Sequence, residues 1–261
     1  MDLLAAIEDA IRQSVPAGRI GVAFSGGVDS ALVGAVCKNM GYEVELLTVG
    51  FAGSQDLSFA AEAAPEDTPH HTLEIDQSGF DKVARSVEDT MGASPEDTLS
   101  WYENGIAFHY VAVLAHENDL HTVLTANGID ELFCGYDVYR REYGQGSPED
   151  MIRGKVEHEL KMMEAVGRVT AAQGVQLLQP LLSPKFVEAA GTIPIEQKIR
   201  GPDDMLRKHA IRDAARRIGV PEISAGRRKK ALQYGSGIHK ALIKSRRSRG
   251  LHARQSGAPR I

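Results

Sequence analysis

Apolar and polar positions alternate along the chain with a period that changes several times. Leu3, Leu4, Ile7, Ile11 and Val15 fall on one helical face, with Glu8, Asp9 and Arg12 between them, which predicts a helix over residues 2–15. Residues 19–24 form a short apolar run that ends at Ser25-Gly26-Gly27, the pattern of a buried strand entering a turn. The same reading predicts a helix over 30–40, a strand over 43–49, a helix over 57–64 and a short strand over 71–75. Helices over 78–91 and 101–118 and a strand over 121–126 complete this half. Strands separated by helices at this spacing pair in parallel and are covered on both faces. The expectation is an α/β fold, a doubly wound parallel sheet of about five strands, within residues 1–147. From Pro148 onward strand signals vanish and helical periodicity dominates, broken at Pro180, Pro184, Pro194, Pro202 and Pro221. Residues 148–243 read as a helical region completing the site, and 244–261 as a basic tail.

The 261 residues can bury a sizeable core, and 43% hydrophobic with 25% charged is the balance of an ordinary globular protein. No apolar run reaches the roughly 18 residues that spanning a bilayer requires. Met1-Asp2-Leu3-Leu4 carries an acid where a secretory signal carries basic residues. Cys37 and Cys134 lie far apart without metal-ligand spacing, which disfavours structural zinc and disulfides and suits a reducing cytoplasm. The net charge of −5 is unevenly spread, because residues 225–261 hold 11 Lys or Arg and no Asp or Glu. Such a segment on an acidic body faces phosphate or nucleic acid, docks back on the body, or trails in solvent.

Chemistry concentrates first in Ser25-Gly26-Gly27-Val28-Asp29-Ser30, between the first strand and its helix. Glycines admit close backbone approach, successive N–H groups form an anion nest, and the helix N-terminus adds its dipole, so this turn suits phosphate. It lacks the lysine with which a P-loop holds the β and γ phosphates, and offers two hydroxyls and an acid able to bind magnesium. That difference favours pyrophosphate as the departing group over a transferred γ-phosphoryl. Arg227-Arg228-Lys229-Lys230, ahead of Gln233-Tyr234-Gly235-Ser236-Gly237, reads as a second phosphate clamp or as a solvated charge run. His70 and His71 fit a strand start, one inward and one outward, and His109, His116 and His121 show no metal-ligand spacing. Cys37, Trp101 and Tyr102 read as packing residues.

With SGGxDS matched at residues 25–30, the sequence resembles the PP-loop (N-type) ATP pyrophosphatases, whose members activate a carboxylate, carbonyl or amide oxygen as an adenylate. Leu124-Thr125-Ala126-Asn127-Gly128-Ile129-Asp130-Glu131-Leu132-Phe133-Cys134-Gly135-Tyr136 is similar to the L-S-G-E-G-x-D-E-L-F-G-G-Y segment in the synthetase domain of asparagine synthetases and β-lactam synthetases. The likeness runs over roughly residues 18–240. It takes in Asp56 to Ala64 with His70-His71, then Gly174-Val175, Pro180, Leu182 and Phe186-Val187-Glu188, then Lys208, Ile211, Arg212 and Ala214. Arg227-Arg228-Lys229 stands where the family has R-x-K. The resemblance implies the adenine nucleotide alpha hydrolase-like fold and an ATP-dependent, AMP-forming carbon–nitrogen ligase. It implies that ATP and pyrophosphate are held by Ala23, Ser25, Gly26, Gly27, Val28, Asp29, Ser30, Val49, Thr125, Ala126, Asn127, Gly128 and Lys208. Mg2+ is assigned to Asp29 and Asp130, at the ends of neighbouring parallel strands, where two carboxylates can face a triphosphate. Catalysis is assigned to Asp130 and Lys229, with Lys230 the alternative, and Glu131 reads as a cap or ion-pair partner.

Several positions depart from the family pattern. Asn127 replaces a glutamate linked to proton transfer, and an amide cannot act as a base near neutral pH. Gln176 and Leu178 replace a glutamate and an arginine, as expected if a buried ion pair gave way to neutral packing; Ser183 replaces an aspartate and Cys134 a glycine. Asp2 stands where glutamine-dependent relatives carry a cysteine, and about 18 residues precede the first strand, so no glutaminase domain is expected. The expected partners are ATP, a small-molecule carboxylate such as aspartate, and ammonia or an amine, with a separate glutaminase subunit and a homodimer both allowed. No membrane and no nucleic acid are expected. The alternatives are a tRNA-modifying enzyme of the same superfamily, using the basic segment, and a nucleotide-binding regulatory subunit.

Overall fold

The computed structural model describes residues 2–94, 99–228 and 235–250. Helix α1 (Leu3–Ser14) opens at Asp2, whose carboxylate accepts the Leu4 amide at 3.2 Å, and buries Leu3, Leu4, Ile7, Ala10 and Ile11 as the periodicity predicts. Strand β1 (Arg19–Ala23) follows and feeds α2 (Val28–Asn39), whose Leu32, Val33, Val36 and Cys37 face the core. Then come β2 (Glu43–Phe51), α3 (Gln55–Ala63), β3 (His70–Ile75), α4 (Gln77–Met91), α5 (Leu99–Glu117) and β4 (Thr122–Leu124). Two single-turn helices, α6 (Ile129–Leu132) and α7 (Val138–Arg141), lead to the long α8 (Pro148–Ala171). Pro148 occupies the first turn of α8, where its missing N–H costs nothing, and the Ser147 hydroxyl caps the helix from the Asp150 amide at 3.2 Å.

All pairings in the five-stranded sheet are parallel, in the order β3-β2-β1-β4-β5. The chain winds outward from β1 through β2 to β3, then returns to the other side of β1 as β4. Between the carboxyl ends of β1 and β4 the winding reverses, and there the loops after the two strands diverge and leave a crevice. Helix α5 packs against β2 and β3 as well as α4 and α8, so it is buried on most of its circumference. That burial explains its apolar composition, with Ile106, Phe108, Val111 and Leu114 all in the core.

The sequence patterning locates four strands and none beyond residue 147, and the fifth lies there. β5 (Gln176–Leu178) lies in the region that reads as wholly helical, and pairs Val123 with Leu177 and Leu124 with Leu178. It has three residues and Gln176 is exposed, so no period-two signal can develop. The same exposure corrects the expectation of a buried neutral exchange at 176. The strand expected over 121–126 pairs only over Thr122–Leu124, although the Thr125 amide still donates to the Leu178 carbonyl at 3.0 Å.

After β5 the chain forms α9 (Pro184–Gly191), α10 (His209–Arg217), α11 (Glu222–Ala225) and α12 (Ile238–Ser248). Helix α12 runs through residue 244, where the basic tail was expected to begin. Arg246 and Arg249 reach Glu88 of α4 at 3.0 and 2.7 Å, the Arg246 guanidinium lies 4.8 Å from the Tyr102 ring centroid, and His239 meets buried Glu103 at 2.6 Å. Over residues 235–250, the basic segment is docked on the body through α12. No helix among the described residues is long and apolar enough to cross a membrane.

The core under the crevice sets the stability of its rim. Leu32, fully buried on α2, is expected to cost about 2–5 kcal/mol when changed to Ala, read as a fall in the urea midpoint without a change in m-value.

Candidate active site

The turn after β1 is shaped by its own side chains. The Ser30 hydroxyl accepts the Ser25 amide at 3.2 Å and donates to the Gly27 carbonyl at 3.2 Å, drawing the loop around its centre. Gly26 adopts φ +72°, and a Cβ there would stand 2.7 Å from the Phe59 ring, so glycine is required by both conformation and space. Gly27 caps α2 without a side chain, which leaves the first-turn amides uncapped. Arg227 closes over this turn: its guanidinium lies 3.4 Å from the Phe59 centroid and donates to the Ser25 carbonyl at 3.4 Å. Burial pulls the Arg227 pKa down while Asp56 pushes it up.

Asp29, on the first turn of α2, and Asp130, on α6, meet across the switch point. Between them stands Lys208, whose Nζ lies 2.5 Å from Asp29 Oδ2 and 2.7 Å from Asp130 Oδ1. The Lys208 side chain is 1% exposed, and Asp29 Oδ1 is buried without a hydrogen-bond partner among the described residues. Asp130 is seated by Gly135, where a Cβ would stand 1.9 Å from the Asp130 carboxylate. Glu131 is a cap, as expected: it accepts the Gly128 amide at 3.0 Å and the Tyr136 hydroxyl, while its carbonyl accepts from Tyr139 at 2.8 Å. Cys134, in place of a family glycine, keeps a glycine-like φ of +58° and is fully buried; burial pushes its thiol up to about 12. Cys37 is likewise core, its thiol pushed up to about 12 by burial.

The turn that delivers Lys208 is strained and heavily tied. Arg207 and Lys208 are both left-handed, at φ +49° and +54°, which costs about 1–2 kcal/mol for each non-glycine residue. Arg207 donates twice to the Gly135 carbonyl, at 3.2 and 3.1 Å, and so links this turn to the Asp130 loop. Arg212, 1% exposed, donates to the carbonyls of Arg207 and Leu206 at 2.8 Å and of Ala225 at 2.5 Å. Asp204 accepts the amides of Arg200, Leu206 and Arg207 at 2.9, 3.2 and 3.0 Å, and meets His209 at 2.7 Å.

A cavity of about 290 Å3 opens above the strand ends. Ala23, Ser25, Asp29, Ser30, Val49, Thr125, Ala126, Asn127 and Asp130, all expected from the sequence, line it. Gly26, Gly27, Val28 and Gly128 belong to the same turns without lining it, and Lys208 reaches Asp29 and Asp130 from the separate turn before α10; Lys229 and its alternative Lys230 lie outside the described residues. The sequence reading missed the side walls. Ser100, Asn104 and Phe108 of α5 form one, and Lys155, His158, Glu159 and Met162 of α8 the other. The spacing of the α8 set, i, i+3, i+4 and i+7, marks one helical stripe, and its mixed polarity was the available signal. Glu159 is 4% exposed, and Asn127 donates its Nδ2 proton to it at 2.5 Å. His70 and His71 lie outside the cavity, on opposite sides of β3, paired with Thr48 at 2.8 Å and Glu45 at 2.6 Å.

The sequence matches the family model for asparagine synthase over residues 2–167 and 155–256. Among curated proteins it is 30% identical to the "putative asparagine synthetase (glutamine-hydrolyzing) 1" of Methanocaldococcus jannaschii, over 87% of this chain and 47% of that protein. It is 24% identical to asparagine synthetase B (glutamine-hydrolyzing) of Escherichia coli over 90% of this chain and 45% of that protein, and 26% identical to the Gallus gallus asparagine synthetase over 79% and 38%. The chain thus spans less than half the length of these relatives. NMN synthetase from Francisella tularensis is similar in structure at 14% identity, with a TM-score of 0.47 over 96% of this chain and 84% of that one.

The Asp204 turn yields a pH test. Burial raises the Asp204 carboxyl, but the Arg207 and Arg200 amides and His209 outweigh it and hold the pKa at about 2. A depressed carboxylate stabilises the fold above its ordinary value of 3.8, and that contribution fades as pH falls through about 2. The stability gap between wild type and Asp204→Asn in urea melts is expected to narrow across that window.

Proposed function

The chain belongs to the asparagine synthase family, and from that premise we propose that it is an ATP-dependent amide synthetase releasing AMP and pyrophosphate. The observation that carries this reading is the meeting of Asp29, Asp130 and the glycine turn at the switch point, beneath a cavity walled by Glu159. The turn over residues 25–30 holds the phosphates through backbone amides and hydroxyls. A substrate carboxylate attacks the α-phosphorus, the bond to the β-phosphate oxygen breaks, and pyrophosphate leaves. The acyl adenylate is then captured by ammonia or an amine, and AMP departs. Arg227 beside Ser25, and Lys229 two residues further along, supply positive charge for the departing phosphates and the developing oxyanion.

The donor set fits Mg2+. Two hard carboxylates face the phosphate turn, and a buried Asp29 oxygen lacks a hydrogen-bond partner among the described residues. Mg2+ bound there would neutralise triphosphate charge, with the remaining ligands coming from phosphate oxygens and water. This suits a site where no three His, Cys, Asp or Glu converge among the described residues.

Asn127 cannot take the proton released when the nucleophile attacks, whereas Glu159 can. The Asn127 amide orients that carboxylate toward the cavity through its 2.5 Å hydrogen bond, and the proton passes from the attacking nitrogen to Glu159. The carboxylate substrate is a small molecule such as aspartate. The nitrogen comes as free ammonia, as an amine, or from a separate glutaminase subunit. The docking of α12 on Glu88 and Glu103 weighs against the tRNA-modifying alternative, because it occupies cations that RNA would otherwise use.

The test separates the two half-reactions. With ATP, Mg2+, ammonium and a panel of carboxylates beginning with aspartate, mass spectrometry is expected to show AMP, pyrophosphate and a new amide. Asp130→Asn is expected to abolish both half-reactions. Glu159→Gln is expected to retain carboxylate-dependent ATP–pyrophosphate exchange while amide formation falls about 10²–10⁴-fold. ADP release, or equal loss of both half-reactions in Glu159→Gln, would refute the reading.

A further inference from the structure

Lys208 holds a position that binding of pyrophosphate alone does not explain. Its ammonium lies between the two carboxylates assigned to the metal, at 2.5 and 2.7 Å, with the side chain 1% exposed. The placement is built in. Two consecutive left-handed residues aim the side chain, and the double hydrogen bond from Arg207 to the Gly135 carbonyl fixes that turn to the loop bearing Asp130. Strain of this kind persists only where the surroundings over-determine it.

The electrostatics then have one direction. Asp29 and Asp130 without a cation are like charges at close range, and the ammonium compensates them. A divalent ion arriving alone would have to displace Lys208 into an interior where, among the described residues, its ammonium has no other acid within ion-pair reach. A divalent ion arriving on a triphosphate brings phosphate oxygens that take the ammonium over.

We propose that Lys208 is an internal surrogate for the divalent cation: it keeps Asp29 and Asp130 together in the nucleotide-free protein and leaves them only for a metal-bound triphosphate. Metal and nucleotide binding are therefore coupled through this side chain, and by linkage each strengthens the other. The proposal rests on the reading of Asp29 and Asp130 as the metal carboxylates.

The probe is Mn2+, followed by its electron paramagnetic resonance in wild type and Lys208→Met, with and without α,β-methylene-ATP. Without nucleotide, Lys208→Met is expected to bind Mn2+ about tenfold or more tightly than wild type, because the competing ammonium is gone. Equal nucleotide-free affinity in the two proteins would overturn the proposal. Wild type alone supplies a second reading should the variant fail to fold. The 15N signal of the shielded Lys208 ammonium is expected to stay put with Mg2+ and to shift with Mg2+ plus the analogue; a shift with Mg2+ alone would overturn the proposal. No Mn2+ binding by either protein, even with the analogue, would overturn the metal assignment and the inference with it.

Discussion

Two aspartates at the carboxyl ends of adjacent parallel strands repel one another, and the architecture around them answers that repulsion. Asp29 is placed by the turn out of β1 and Asp130 by the turn out of β4, so their separation is set by the sheet. The compensating cation comes from a third segment, 179 residues from Asp29 along the chain. To bring it there the chain accepts two left-handed residues and secures them with Arg207, Arg212 and Asp204. The buried hydrogen bonds of Arg212 and the depressed carboxyl of Asp204 are thus parts of the carboxylate site, although neither lines the cavity.

The glycine turn over 25–30 was legible in the sequence because its chemistry is local: the residues that shape the loop are those that would touch phosphate. The parallel sheet was legible because β1 and β2 are buried apolar runs between amphipathic helices. β5 was not, since three residues with an exposed Gln176 carry no period and owe their strand to pairing with β4. Glu159 escaped for a similar reason. Its contact with Asn127 depends on α8 crossing over a loop 32 residues away in sequence, a packing relation with no local signature. Lys208 came only through resemblance, and its pairing with both aspartates depends on backbone angles that sequence does not display.

The departures from the family pattern behave differently in their settings. Cys134, where the family pattern has glycine, adopts the left-handed conformation that favours glycine, so the loop geometry does not need the residue best suited to it. At Asn127, where the family pattern has glutamate, the amide is hydrogen-bond donor to the Glu159 carboxylate of a neighbouring helix. In both places the fold holds the position while the side-chain chemistry changes.

The lateness of β5 in the chain bears on how the molecule matures. β4 stands at the sheet edge until β5 arrives beyond the whole of α8, and it is the Leu178 carbonyl that accepts the Thr125 amide. A nascent chain emerging from the ribosome can assemble β1, β2 and β3 early, but the acid-bearing loop after β4 stays unbraced until the second half has emerged. Such long sequence separation slows assembly, since loop closure precedes the contacts that reward it. A truncated or stalled polypeptide therefore presents the glycine turn over 25–30 before the Asp130 loop is braced beside it.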